Sequence, residues 1–123
     1  MPDAAIVTAR EMSDNATFLP SLNVHSGVVC TGKQVQLIWA RYEPGVPYRM
    51  HQHDHEQLSI LLSGRLRLTV GELVRDIGPG DIWFAPQGVM HGGEVLGDEA
   101  VIFVDVYGPP SESIVEFLRT NGE

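Results

Sequence analysis

Histidines at positions 51, 53 and 55 and a glutamine at 57 crowd the stretch MHQHDHEQ, residues 50–57. Imidazoles this close together bind a metal, respond to pH on a surface loop, or solvate a turn. In an extended strand, residues i and i+2 point to one face, so His51 and His53 project together. The turn DHE at 54–56 lets the chain reverse, and Gln57 opens the next strand beside them. His91 follows the turn Pro86-Gln87-Gly88 and joins from a neighbouring strand. The result is a set of three histidines and one glutamine with room for water or substrate. An open coordination position of this kind separates a catalytic metal site from a closed structural one. His55 falls in the turn and reads as solvated or as support behind the ligands, and His25 in NVHSG reads as structural.

Ligands spread from 51 to 91 need a stiff frame, and the apolar pattern supplies one. Short runs with period-two alternation recur along the chain, each closed by Gly, Pro, Asp or Asn, as in an antiparallel β domain. Strands are expected at 27–31, 34–43, 48–53, 57–63, 65–70, 72–77, 81–86, 92–97 and 100–108. Turns fall at EPG (43–45), SG (63–64), GPGD (78–81), PQG (86–88) and LGDE (96–99). Gly45, Gly64, Gly80 and Gly88 supply the positive φ that such turns need.

Residues 1–23 form an arm or a short edge strand. A helix at about 112–120 is expected from Ser113 and Glu116 as a capping box, an apolar face of Ile114, Phe117 and Leu118, and Gly122 as its end. So many strands in one chain call for a closed or two-sheet architecture, because closure removes exposed edges. Leu58, Ile60 and Leu62 either face outward, towards a partner, or pack between two sheets.

With 123 residues and 43% hydrophobic content, the chain has the size and core of one domain, 1–123. Its net charge of −8 repels nucleic-acid phosphates and anionic lipid, so neither is an expected partner. Cys30 stands alone in the apolar GVVC, which excludes an intramolecular disulfide and suggests a buried, inert thiol in a reducing compartment. The first residues lack the basic and apolar regions of a secretory signal, and no run approaches the ~20 apolar residues that cross a bilayer. A cytoplasmic protein is expected.

Gly45-x5-His51-x-His53-x3-Gln57-x6-Gly64 and Gly80-x5-Pro86-x-Gly88-x2-His91, separated by 15 residues, resemble the two signature motifs of the cupin superfamily. The resemblance spans roughly residues 40–108. It implies an all-β double-stranded β-helix, a jelly-roll barrel with a core at about 27–108 and a short C-terminal helix. It also implies one divalent metal ion, with zinc, nickel, iron and manganese all compatible, held by His51, His53, Gln57 and His91, and a homodimer. Gln57 stands where the motif usually has Glu. A neutral amide leaves the ligand set uncharged, so a bound ion keeps its +2 charge; this favours Lewis-acid chemistry over iron-dependent oxygen chemistry.

HQHDHEQ and VIFVDVYGPPSESIVEFL further resemble segments of the small KdgF-like cupins of pectin degradation. In that family a metal-bound cupin linearises cyclic 4,5-unsaturated uronates. An aspartate, a phenylalanine and an arginine act near the metal; they correspond to Asp105, Tyr107 and Ser111. Alternation puts Asp105 on one face with Val101, Phe103 and Tyr107, among apolar neighbours where a raised pKa suits acid/base work. Ser111 cannot replace a bidentate guanidinium. Arg49, two residues before His51, is placed to bind the substrate carboxylate instead.

The favoured function is a metalloenzyme acting on a sugar acid or a similar small oxygenated anion. The alternatives are a cupin lyase or dioxygenase on another small substrate, and a non-catalytic cupin that binds a metabolite or metal.

Overall fold

The computed structural model describes residues 4–120. Among them the N-terminal segment opens with a short helix, α1 (Ala9–Asp14), capped by the Thr8 hydroxyl, which accepts from Glu11 N. The edge strand β1 (Thr17–Leu19) follows and pairs antiparallel with β2 (Val24–Thr31). Then come β3 (Gln36–Tyr42), β4 (Tyr48–His51), β5 (Glu56–Ser63), β6 (Arg65–Val70), β7 (Leu73–Ile77), β8 (Ile82–Ala85), β9 (His91–Leu96), β10 (Val101–Gly108) and the helix α2 (Glu112–Arg119). No described helix is long and apolar enough to cross a membrane.

The strands form two antiparallel sheets, in the orders β1-β2-β3-β10-β5-β8 and β4-β9-β6-β7. This is the two-sheet all-β architecture expected from the alternation. Leu61, Trp83 and Phe103 of the larger sheet pack against Tyr48, Leu66 and Leu68 of the smaller. On β5 the period of two is strict: Gln57, Ser59 and Leu61 are buried, while Leu58, Ile60 and Leu62 are exposed. The latter three therefore lie on the outer face. There they meet Phe84 and Ile82, which pair with Leu58 and Ile60 across β8 and are also exposed.

Backbone geometry explains how the site is brought together. Gly45, Gly64, Gly80 and Gly88 all have positive φ, as their turns require. A Cβ on Gly92 would lie 2.7 Å from the Tyr48 carbonyl oxygen, and one on Gly93 would collide with the Arg67 carbonyl. β9 can thus run close between β4 and β6, which sets His91 directly opposite His51.

Three expectations need correction. β4 ends at His51 rather than at 53, so His53 lies beyond the strand. Cys30 is exposed: the β2–β3 register slips between Val28 and Cys30, and one extra residue reverses which face the following side chains take. The N-cap of α2 is Ser111, not Ser113; its hydroxyl accepts from Ile114 N at 3.2 Å. Gln36 fixes this start, accepting from Ser111 N at 3.0 Å and donating to Ser111 O at 3.2 Å. Glu116, the other half of the expected capping box, pairs instead with Arg119. Gly122 lies outside the described residues.

Candidate metal centre

His51 ends β4, His91 begins β9, and His53 reaches in from the loop between β4 and β5. One ring nitrogen from each lies within 4.8 Å of the others. The opposite ring nitrogens are all anchored: Nδ1 of His51 to Arg49 O at 2.7 Å, of His53 to His55 O at 3.0 Å, and of His91 to Val89 O at 2.9 Å. A carbonyl can only accept, so each Nδ1 carries the hydrogen and each Nε2 of a neutral ring presents a lone pair. Such anchoring of the remote nitrogen is what orients metal-binding imidazoles.

Gln57, the first buried residue of β5, completes the cluster. Its Oε1 lies 2.9 Å from His53 Nε2 and 3.0 Å from His91 Nε2. Its amide nitrogen donates to Ser59 Oγ at 2.9 Å and Asp105 Oδ1 at 3.0 Å, which fixes the oxygen towards the histidines. Acceptors therefore face acceptors with no hydrogen between them. A cation resolves that conflict, so this donor set fits a divalent metal ion.

Asp105 sits behind the amide, 6% exposed, on the β10 residue that pairs with Ser59. Ser59 Oγ donates to the same carboxylate oxygen as Gln57. Burial pushes the carboxyl up to about 7, against the opposing pull of those two hydrogen bonds. The Tyr107 ring packs 5.3 Å from His53 and 4.0 Å from His55. Burial, reinforced by Asp105, raises Tyr42, Tyr48 and Tyr107, so their phenols remain donors. A cavity of about 460 Å³ opens beside the histidines, and Arg49 reaches it as an exposed residue. Arg49 has no ion-pair partner among the described residues.

Burial lowers His55 and His91 to about 4 and moves His51 down from 6.5. The unfolded chain's imidazoles take up protons near 6.5, so the metal-free protein loses stability as pH falls from there towards 4. Asp105 acts in the opposite sense: its folded carboxyl keeps a proton between 3.8 and about 7 that the unfolded chain releases, so stability falls as pH rises through that window. Below 6.5 the three lowered imidazoles outweigh the one carboxyl. Melting temperatures of chelator-treated protein should therefore peak near pH 6 to 6.5, within about a unit. A maximum at pH 4 to 5 would contradict the neutral-histidine cluster.

The structure thus brings His51, His53, Gln57 and His91 together, sets Asp105 and Tyr107 beside them, and leaves Arg49 at the cavity mouth. His53 arrives by a route other than the shared strand expected. His55 supports it, stacking at 3.8 Å and offering the carbonyl that holds its Nδ1. Ser59 escapes a reading of sequence alone: a serine in an alternating strand carries no signal until its register against Asp105 is known.

The family model for the cupin domain, Cupin_2, matches residues 38–107. An H2HPP isomerase of Bacillus subtilis is 35% identical over an alignment of 79 positions that covers 57% of this chain and 34% of that protein. The chain therefore spans about a third of that curated relative's length. Among solved structures, KdgF from Halomonas sp. aligns with a TM-score of 0.69 at 22% identity, covering 74% of this chain and 84% of its own. An RmlC-like cupin from Shewanella frigidimarina aligns with a TM-score of 0.78 at 18% identity, covering 91% and 96%. At these identities the two structures establish the fold alone.

Proposed function

The chain belongs to the cupin family, and from that premise we propose that it is a metal-dependent enzyme that moves a proton on a small oxygenated anion. The observation that carries this reading is the amide of Gln57: its oxygen closes the histidine cluster while its nitrogen holds Asp105. An acid/base group is thereby fixed within one side chain of the place where a substrate oxygen would bind. A divalent ion held by His51, His53, His91 and Gln57 would supply Lewis-acid polarisation of that oxygen. Asp105, with a pKa near neutrality, takes a proton from the substrate or returns one. Tyr48 and Tyr107 stay protonated and can donate to the substrate, and their rings help to exclude water.

The 4,5-unsaturated uronate implied by the KdgF resemblance is one substrate of this class. Ser111 uses its hydroxyl to cap α2, so the substrate carboxylate falls to Arg49. Arg49→Ala is accordingly expected to raise KM for an anionic substrate about 10-fold or more with little change in metal content. An unchanged KM would remove Arg49 from the site. The outer band of Leu58, Ile60, Leu62, Ile82 and Phe84 supports the homodimer reading, to be checked by light scattering for twice the 13.5 kDa chain mass.

The test of the reaction combines metal analysis with proton NMR in D2O of the metal-loaded protein, using 4,5-unsaturated galacturonate and a simple 2-oxo acid. Protein-dependent ring opening or deuterium uptake, lost in Asp105→Asn, is the expected result. Stoichiometric metal with neither change would overturn the reading.

A further inference from the structure

The cavity beside the histidines has two chemically different ends. The polar end holds the imidazoles, Asp105, Tyr48 and Tyr107, while Tyr42 of β3 stands between the ends, opposite Val24; the three phenols are raised by burial and by the Asp105 carboxylate. The Tyr42 and Tyr107 hydroxyls have no partner among the described residues, and the Tyr48 oxygen lies 3.4 Å from Gln57 Nε2. The remote end lies over β1 and β2, away from β10 and β5 in the larger sheet, and is lined by Leu19, Leu22 and Val24 with Ile114 and Phe117 of α2, which packs on β2; Ile38 of β3, opposite Asp105, lies between the two ends. The serines near that end are occupied. Ser26 Oγ donates to Trp39 O at 2.8 Å, and Ser111 Oγ caps Ile114 N and meets Ser113 Oγ at 3.0 Å.

A hydroxyl placed at the remote end would find few partners, whereas a hydrocarbon group would leave water for an apolar surface. α2 is held over this end by the paired hydrogen bonds between Gln36 and Ser111 and by its buried Leu118. The apolar wall is thus a built part of the fold. Its 460 Å³ falls in the range of pockets that enclose small organic ligands.

We infer that the substrate is a carboxylate with an apolar body the size of an aromatic ring, its anionic head at the histidines and Arg49 and its body between α2 and the larger sheet. This inference rests on the reaction proposed above and narrows its substrate class away from polyhydroxylated sugar acids.

Calorimetric titration of the Zn2+-loaded protein with 3-phenylpropanoate, propanoate and galacturonate tests it without turnover. The phenyl compound is expected to bind at least 10-fold more tightly than either of the others. Phe117→Ser and Ile114→Asn, both on the half-buried face of α2, should each weaken the phenyl compound at least 5-fold and leave propanoate unchanged, with melting curves confirming that they fold. Equal affinities for the phenyl compound and propanoate, or a preference for galacturonate, would overturn the inference and leave the proposed reaction standing. Failure of all three to bind the metal-loaded protein would overturn both.

Discussion

Replacing His91 with alanine is expected to abolish stoichiometric binding of a divalent ion. Its imidazole is fully buried, its Nδ1 is committed to Val89 O, and its Nε2 points at the Gln57 oxygen shared with His53. Removing it leaves two histidines and an amide, too few donors to compete with water for most divalent ions. Affinity should fall by more than the roughly 10- to 100-fold that follows loss of a merely supporting contact. His51→Ala should have the same effect on metal with a smaller loss of stability, because His51 is only half-buried. Elemental analysis reads the metal, and thermal melting with and without chelator reads the linkage: wild-type protein should be stabilised by metal and the His91→Ala protein should not. Full metal occupancy in both variants would refute the assigned centre.

Much of this centre is legible in the chain because its spacings are local. The alternation that sets Gln57 inward also sets Leu58 outward, and both faces follow from one period-two run. Asp105 is found the same way, as the polar member of the inward row Val101, Phe103, Asp105, Tyr107. What the sequence leaves open is register. Whether Gln57 reaches Asp105, and whether Ser59 lies opposite it, depends on how β5 slides along β10. Local irregularity is equally hidden: the slip between Val28 and Cys30 turns a thiol outward that strict alternation would bury. The cap of α2 moves from Ser113 to Ser111 because Gln36, distant in sequence, holds Ser111 by both backbone polar groups. Such long-range contacts override local capping preference. The α1 helix, six residues long and without buried side chains, has no apolar periodicity to announce it.

Asp105→Asn should lower turnover by about 100- to 10,000-fold, the usual contribution of a positioned acid or base, while leaving metal content unchanged. The substitution is isosteric. Asparagine Oδ1 can still accept from Ser59 Oγ and Gln57 Nε2, the two donors that meet the native oxygen, so the amide stays oriented towards the histidines. Only the ability to bind and release a proton is lost. Burial alone makes the native carboxyl costly to ionise, and asparagine removes that cost, so the metal-free variant should be at least as stable as wild type above pH 7. The combination of near-zero turnover, intact metal and undiminished stability separates a proton-transfer role from a structural one. If turnover instead survived within a few-fold of wild type, the buried carboxyl would be an anchor for Gln57 and the proton would have to move elsewhere.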